Sequence, residues 1–87
     1  MAVFKVKVTV MFRKSVLDPQ GAAVERAVKG GNISFPEVSS VRVGKVVELT
    51  MTGSDAGNVE GKARLLADRV LANPVMEEYA VEVEPLS

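Results

Sequence analysis

Apolar and polar residues alternate from Val3 to Arg13, and this alternation is the strongest secondary-structure signal in the chain. A period of two predicts a β-strand with one buried face and one exposed face. The segment is longer than the ~5–6 residues usual for a strand, which indicates that it extends into the sheet of a neighbouring molecule. The residues predicted to face the core are Phe4, Val6, Val8, Val10 and Phe12.

The segment from Val16 to Gly21 has the composition of a helix start. Asp18 is the predicted N-cap, with its carboxylate accepting a hydrogen bond from the N–H of Gln20 or Gly21. Pro19 suits the first helical position, because the N–H that it lacks has no partner there. The helix is predicted to end in a left-handed turn at the glycine pair 30–31. Its predicted apolar stripe consists of Ala23, Val24, Ala27 and Val28.

A second strand is predicted from about Ser39 to Thr52, and its centre contains Gly44 and Lys45. This pair allows two interpretations: a two-residue hairpin turn, or a bend within one continuous strand. The continuous strand is preferred, because it keeps the valines on one face. The apolar residues that share this face are Val41, Val43, Val47, Leu49 and Met51.

A second helix is predicted after a cap at Ser54 or Asp55, with Asn58 as a later candidate. Gly57 and Gly61 lie inside this helix, and each costs ~1 kcal/mol relative to alanine, so the first turns are expected to fray. Its predicted apolar stripe consists of Val59, Ala63, Leu66, Ala67 and Val70.

The end of the chain predicts a helix stop and a third strand. Pro74 ends the second helix, and Asn73 suits a left-handed cap position. Tyr79, Val81 and Val83 then alternate with polar residues as far as Pro85. The order β-α-β-α-β predicts one α+β domain over residues 1–87, a two-layer α/β sandwich with two helices on one face of a small sheet.

Composition narrows the possible functions. The chain has no cysteine and no histidine, so it lacks thiolate ligands, the commonest metal ligand and the usual general base near neutral pH. Its formal net charge is zero without a basic run, which argues against nucleic acid or a membrane as partner. No apolar stretch approaches the ~18–20 residues of a membrane span, and the N-terminus lacks a signal-peptide pattern, so a cytoplasmic protein is expected.

The few groups that suggest chemistry have simpler explanations. Alternation places Glu82 and Glu84 on one strand face, where solvated carboxylates are far more common than metal ligands. Gly44 and Lys45 match the end of a phosphate-binding loop, but Val46 stands where that motif needs Ser or Thr. We therefore predict no catalytic residue and no metal site in this chain.

Several short segments, taken together and in order, resemble a known family. The chain is similar over essentially its whole length to the PurS subunit family of phosphoribosylformylglycinamidine synthase. Any one segment would be weak, whereas their joint presence at these spacings is specific. The main segments are Phe4-Lys5-Val6-Lys7-Val8, Leu17-Asp18-Pro19-Gln20-Gly21, Arg42-Val43-Gly44-Lys45 and Ala72-Asn73-Pro74-Val75.

This resemblance implies a small non-catalytic subunit of a complex in de novo purine biosynthesis. In that family, a glutaminase subunit releases ammonia, and an ATP-dependent synthetase subunit converts formylglycinamide ribonucleotide to its amidine. The resemblance implies that the small subunit self-associates, as a homodimer or tetramer, and helps the larger subunits assemble for ammonia transfer. It also implies no cofactor in this subunit, with ATP and Mg²⁺ used by the synthetase partner.

The same segments supply the candidate residues for contact with partners. Loops held by rigid elements commonly carry function, but a helix cap alone would explain Asp18 and Pro19 equally well. For Arg42 and Lys45 partner contact is favoured, because cations in a valine-rich strand have no obvious local use. The candidates are Asp18, Pro19, Gln20, Gly21, Arg42, Gly44, Lys45, Asn73 and Pro74.

A second hypothesis is a small dimeric regulatory domain that senses amino acids. Such domains are also two-layer α/β folds that dimerise through sheets. They need a separate hairpin in the middle of the chain, so a turn at Gly44 and Lys45 would favour this hypothesis over the assembly subunit.

Overall fold

The computed structural model describes residues 1–86 and shows three strands and two α-helices in that range. The elements are β1 (Ala2–Phe12), α1 (Pro19–Gly30), β2 (Gly44–Gly53), α2 (Ala56–Leu66), a π-helical turn (Ala67–Leu71) and β3 (Glu77–Pro85). The predicted α+β class and the order β-α-β-α-β are therefore confirmed.

The three strands form one antiparallel sheet in the order β2-β1-β3, with the long first strand at its centre. Val6 lies opposite Leu49 of β2 and Val83 of β3, and Val8 lies opposite Val47 and Val81. Because residues that lie opposite each other share a face, the predicted alternation places every valine and leucine of these rows on one side of the sheet.

The core lies between this face and the second helix. The connection from β2 to β3 joins two parallel strands, so it must cross the face of the sheet. The crossing segment is α2 with the π-helical turn, which brings its predicted apolar stripe onto the valines of β1. The buried residues are Phe4, Val6, Val8, Val10, Val59, Ala63 and Ala67.

Helix α1 has a different position. β1 and β2 are antiparallel neighbours, so the segment between them leaves and returns at the same end of the sheet without crossing its face. Gly21 is the buried residue of α1, and the predicted stripe of this helix remains exposed apart from Val28, which is partly buried. The helical layer over the core is therefore formed by α2 and the π-helical turn. We call α1 and its return segment, residues 19–43, the arm.

The arm makes the molecule elongated. The principal extents are 52 × 28 × 15 Å, and the radius of gyration is 16.8 Å, against about 12 Å expected for a compact chain of this length. β1 alone is about 36 Å long and α1 about 18 Å. The long dimension is close to their sum, as expected if the arm continues beyond the end of the sheet.

Both predicted helix caps are present. The Asp18 carboxylate accepts a hydrogen bond from the N–H of Gly21 at 2.9 Å, and the Asp55 carboxylate accepts one from Asn58 at 2.8 Å. The two predicted left-handed ends are wrong, because no residue in the described range has positive φ. α1 does end at the glycine pair, but Gly31 has φ of −82° and is needed because a Cβ there would lie 2.7 Å from the Ala27 carbonyl oxygen.

The second strand is shorter than predicted and begins at Gly44. Pairing between β1 and β2 ends at Met11 and Gly44. Val43 donates its N–H to Asp18, and the carbonyl of Phe12 accepts from the Arg42 side chain, so these groups do not extend the pairing by one more residue. A hairpin turn at this point is excluded, because β2 continues through Lys45 and Gly44 lacks the positive φ that such a turn requires. The feature that would have favoured an amino-acid-sensing domain is thus missing.

The end of the second helix also differs from prediction. The Ala72 N–H donates to the Ala67 carbonyl at 2.9 Å, five residues back, so the chain makes a wide π-helical turn. This turn rotates Leu71 and Ala72 onto the core and leaves Val70 69% exposed. Val70 was predicted to lie on the apolar stripe, and that prediction is wrong.

Candidate functional site

The predicted contact segments come together at one end of the sheet, where the arm begins. The start of α1 lies beside the segment that leads into β2, since the Val43 N–H donates to Asp18 Oδ2 at 3.0 Å. The turn before β3 joins them through Arg13, whose Nη2 donates to the Pro74 carbonyl at 2.8 Å. A shallow pocket between these segments is lined by Val10, Phe12, Gln20, Val43, Gly44, Lys45 and Glu77.

Asp18 holds the two sides of the arm together. One carboxylate oxygen accepts from the Gly21 N–H at the start of α1, and the other accepts from Val43 on the return segment. The hydrogen bond from Gly21, followed by that from Val43, holds the pKa of the Asp18 carboxyl below its ordinary value. The sequence predicted the helix cap, whereas the contact with a residue 25 positions away required the folded chain.

Two glycines allow the close backbone approaches on which this arrangement depends. A Cβ on Gly21 would lie 2.6 Å from the Val41 carbonyl oxygen and closer still to the Asp18 carboxylate. A Cβ on Gly44 would lie 2.5 Å from the Val10 carbonyl oxygen and would overlap the Met11 sulfur. Real Cβ atoms do not approach other heavy atoms so closely. A side chain at Gly21 would therefore push α1 away from its return segment, and one at Gly44 would push the start of β2 away from β1.

Arg42 has a local use that its position in the sequence did not suggest. Its guanidinium donates to the Phe12 carbonyl at the end of β1 and lies 3.7 Å from Glu78 Oε1 on β3. The side chain therefore ties the return segment to two strands. The reason given for expecting partner contact, that a cation here lacks a local role, does not hold for Arg42, and its contact with a partner stays a prediction.

Gln20 and Lys45 are the candidate contact residues whose side chains are exposed and make no polar contact within the described residues. Both are exposed, and both line the shallow pocket. Within residues 1–86, neither side chain takes part in a hydrogen bond or an ion pair. Pro19 is also exposed at the first turn of α1, where it starts the helix as predicted.

Asn73 and Pro74 form the turn that leads into the third strand. The Asn73 side-chain oxygen accepts from the Val75 N–H at 3.1 Å, and the Asn73 backbone N–H donates to Glu77 Oε1 at 2.7 Å. The Asn73 carbonyl accepts from the N–H groups of Met76 and Glu77. Asn73 is therefore committed to the turn, while exposed Pro74 contributes its carbonyl to Arg13.

Sequence reasoning missed Arg13, Glu77 and Glu78, which hold this end of the sheet. Arg13 donates its N–H to the Met76 carbonyl at 2.9 Å in addition to its contact with Pro74. A weak signal was present, because Glu77 follows Asn73 by four residues, a spacing at which a carboxylate can bond back to a backbone N–H. The partners of Arg13 and Glu78 are distant in sequence and left no such signal.

The described residues contain neither a metal-binding cluster nor a membrane-spanning helix. No group of three or more acidic side chains in residues 1–86 is arranged to hold a metal ion. That same range contains no helix with the length and hydrophobicity of a transmembrane segment. Asp18 caps α1 and contacts the return segment, Arg42 contacts β1 and β3, and Asn73 forms the turn before β3. The side chains of Gln20 and Lys45 are exposed beside them. This fold and site define a small α+β protein built on one three-stranded sheet.

Comparison with known proteins identifies the particular family. Residues 5–85 match the family model described as "PurS: Phosphoribosylformylglycinamidine (FGAM) synthase". The phosphoribosylformylglycinamidine synthase subunit PurS of Bacillus subtilis is 43% identical over 81 residues, which cover 93% of each chain. The chain therefore belongs to the PurS family.

Solved structures of relatives have the same fold. The B. subtilis PurS structure superposes with a TM-score of 0.80 at 43% identity, covering 93% of this chain and 98% of that one. A Thermus thermophilus PurS structure gives 0.80 at 38% identity, covering 98% and 99%. A chain in the structure of PurLQS from Thermotoga maritima gives 0.79 at 31% identity, covering 99% and 100%.

Proposed function

We propose that this chain is the small, non-catalytic subunit of FGAM synthase and that it brings a glutaminase subunit and an ATP-dependent synthetase subunit together for ammonia transfer. The observation that carries the proposal is the full-length match to a chain of the T. maritima PurLQS structure. The candidate site supports this proposal, because its residues cap a helix and connect backbone segments, and they do not pair a nucleophile with a base.

The test is reconstitution of the complex from its separate subunits. With glutamine as nitrogen donor, amidine formation should require this chain together with both larger subunits, and the chain alone should show no turnover. Added ammonium salt bypasses the glutaminase, so it should reduce the dependence on this chain. Equal glutamine-dependent rates with and without the chain would refute the assembly role.

Within this proposal, Lys45 and Gln20 are the contact residues that can be tested without disturbing the fold. Lys45→Ala and Gln20→Ala should weaken capture of the larger subunits while leaving the thermal unfolding midpoint unchanged. Lys62→Ala is the matched control, because Lys62 is an exposed lysine on α2, on the part of the fold that covers the core. Normal capture by Lys45→Ala would remove that residue from the interface.

We infer that the chain also self-associates. Its small core, its elongated shape and the two free edges of its sheet support this inference. Light scattering at micromolar concentration should give at least twice the mass of one chain. A folded monomer under these conditions would contradict self-association without affecting the match to the PurS family.

We further infer that the subunit works in the cytoplasm without a cofactor of its own, and that ATP and Mg²⁺ bind to the synthetase partner. The thermal unfolding midpoint of the isolated chain should therefore not change with added Mg²⁺-ATP, because a ligand that binds the folded state would raise it. A rise that saturates with nucleotide concentration would show a site in this subunit.

A further inference from the structure

Pairing between β1 and β2 stops one hydrogen bond before the end of β1. The Arg13 N–H donates to the Met76 carbonyl, on the side of β1 that faces β3. The carbonyl of the same peptide group belongs to Phe12 and points the opposite way, toward β2. In the register of the two strands, the residue opposite Phe12 is Val43, and its N–H would make the next hydrogen bond. We call this unpaired position, Phe12 with Val43, the open rung.

Two side chains bind the donor and the acceptor of the open rung. The Val43 N–H donates to Asp18 Oδ2 at 3.0 Å, and the Phe12 carbonyl accepts from the Arg42 guanidinium. Both backbone groups are therefore satisfied without pairing of the strands. Continued pairing would also place Arg42 directly opposite Arg13, and like charges in that position are destabilising. The open rung is thus a specific arrangement of side chains at the point where the arm leaves the sheet.

Arg42 links the arm to the sheet. Within residues 1–86, the polar side-chain contacts between the arm and the strands come from Arg42, which also lies 3.7 Å from Glu78 Oε1 on β3. Asp18 accepts from the start of α1 and from the return segment, so it holds the arm together. The arm is therefore joined within itself by Asp18 and joined to β1 and β3 by Arg42.

The orientation of the arm decides how the candidate contact residues are presented. Gln20 belongs to α1, whereas Lys45 is paired with Val10 in the sheet, and all three line the shallow pocket. We propose that Arg42 is a positioning residue: by holding the arm at the open rung, it keeps Gln20 beside Lys45, so that a larger subunit contacts both. The proposal rests on the assembly role proposed above and names the residue that prepares its binding surface.

Substitutions at Arg42 separate hydrogen-bond donation from side-chain length. Arg42→Met keeps a long side chain without a donor. It should weaken capture of the larger subunits roughly 3- to 10-fold, because the apparent affinity falls with the fraction of molecules in which the arm is correctly placed. Arg42→Lys keeps a cationic donor and should recover part of this loss. Arg64→Ala is the matched control and should leave capture unchanged, because Arg64 also lies 3.7 Å from a carboxylate, that of Glu60, but its ion pair stays within α2.

A double-mutant cycle with Gln20 distinguishes positioning from direct contact. If Arg42 acts by placing Gln20, Gln20→Ala should weaken capture less in the Arg42→Met background than in the wild-type chain, because the Gln20 side chain is already displaced. In the Arg64→Ala background, Gln20→Ala should keep its full effect. Thermal midpoints are measured for every variant, and capture is compared at a temperature at which all of them are folded. If Arg42→Met does not fold, the same cycle is run with Arg42→Lys, which should show coupling of the same sign.

Each outcome decides the proposal. Coupling between Arg42 and Gln20, with partial rescue by Arg42→Lys, supports the positioning role. Additive losses would show that Arg42 contacts the larger subunit itself, and unchanged capture by Arg42→Met would show that the arm is held without it; either result overturns the proposal. If Gln20→Ala and Lys45→Ala leave capture by the wild-type chain unchanged, the pocket is not a contact surface and the proposal fails, while reconstitution still decides the assembly role.

Discussion

The same substitution, glycine to alanine, should have opposite effects at two helical positions of this protein. Gly61 lies inside α2, and a Cβ there would meet no atom within 4 Å. Gly21 lies in the first turn of α1, and a Cβ there would lie 2.6 Å from the Val41 carbonyl oxygen. The contrast tests whether contact between the helix and its return segment holds the arm in place.

The size of each change in the free energy of unfolding follows from two contributions, helix propensity and steric overlap. Alanine is favoured over glycine in a helix by about 1 kcal/mol, so Gly61→Ala should increase the free energy of unfolding by up to that amount. Gly21→Ala gains no more helix stability than Gly61→Ala. It must also displace the Val41 backbone, at a cost of about 1–3 kcal/mol typical of overpacking. The two variants should therefore differ by about 1–3 kcal/mol, with Gly21→Ala the less stable.

Urea unfolding followed by circular dichroism would measure this difference, with all proteins at one concentration because association contributes to stability. For a chain of this length, 1 kcal/mol corresponds to roughly 4–8 °C in the thermal midpoint. Equal stabilisation by the two substitutions would show that α1 does not contact residue 41 in solution. The description of the arm as a clamped unit would then be wrong.

Two further predictions concern the clamp and the π-helical turn. Asp18→Asn keeps a cap oxygen for Gly21 but turns an amide toward the Val43 N–H, so it should lower the thermal midpoint at neutral pH. The pKa of Asp18 is lowered in the folded state, so this carboxylate stabilises the fold above its ordinary pKa, and the contribution is lost as pH falls through the lowered value. The difference between wild type and Asp18→Asn should therefore shrink below about pH 4, and a difference that persists there would contradict the clamp. Leu71→Ala should lower the free energy of unfolding by about 2 kcal/mol, because Leu71 packs against the core, and Val70→Ala should lower it by less than about 0.5 kcal/mol. The reverse order of the two losses would place Val70 on the core.

Much of the local structure could be predicted because its causes lie close together in sequence. The alternation in β1 identified the core residues Val6, Val8 and Val10, and the caps at Asp18 and Asp55 were predicted from residue type and spacing. Alternation and capping depend on neighbours within about four residues, so they can be recognised before the chain is folded.

The candidate site was predicted only as separate segments. Their convergence depends on which strands pair, and pairing is decided by contacts such as Arg42 with Glu78 and Val43 with Asp18, which are far apart in sequence. The same reason explains why Arg42 was expected to face a partner and why Arg13 was missed.

The sequence alone determined the type and order of the elements, the inner face of the sheet and the lack of histidine and cysteine chemistry, because periodicity and composition are properties of the chain itself. The tertiary structure decided that α1 forms an arm while α2 covers the core, since an antiparallel connection returns at one end of a sheet and a parallel connection must cross it. It also decided that Leu71, and not Val70, packs against the core, because a π-helical turn changes the phase of a helix in a way that hydrophobic spacing does not reveal.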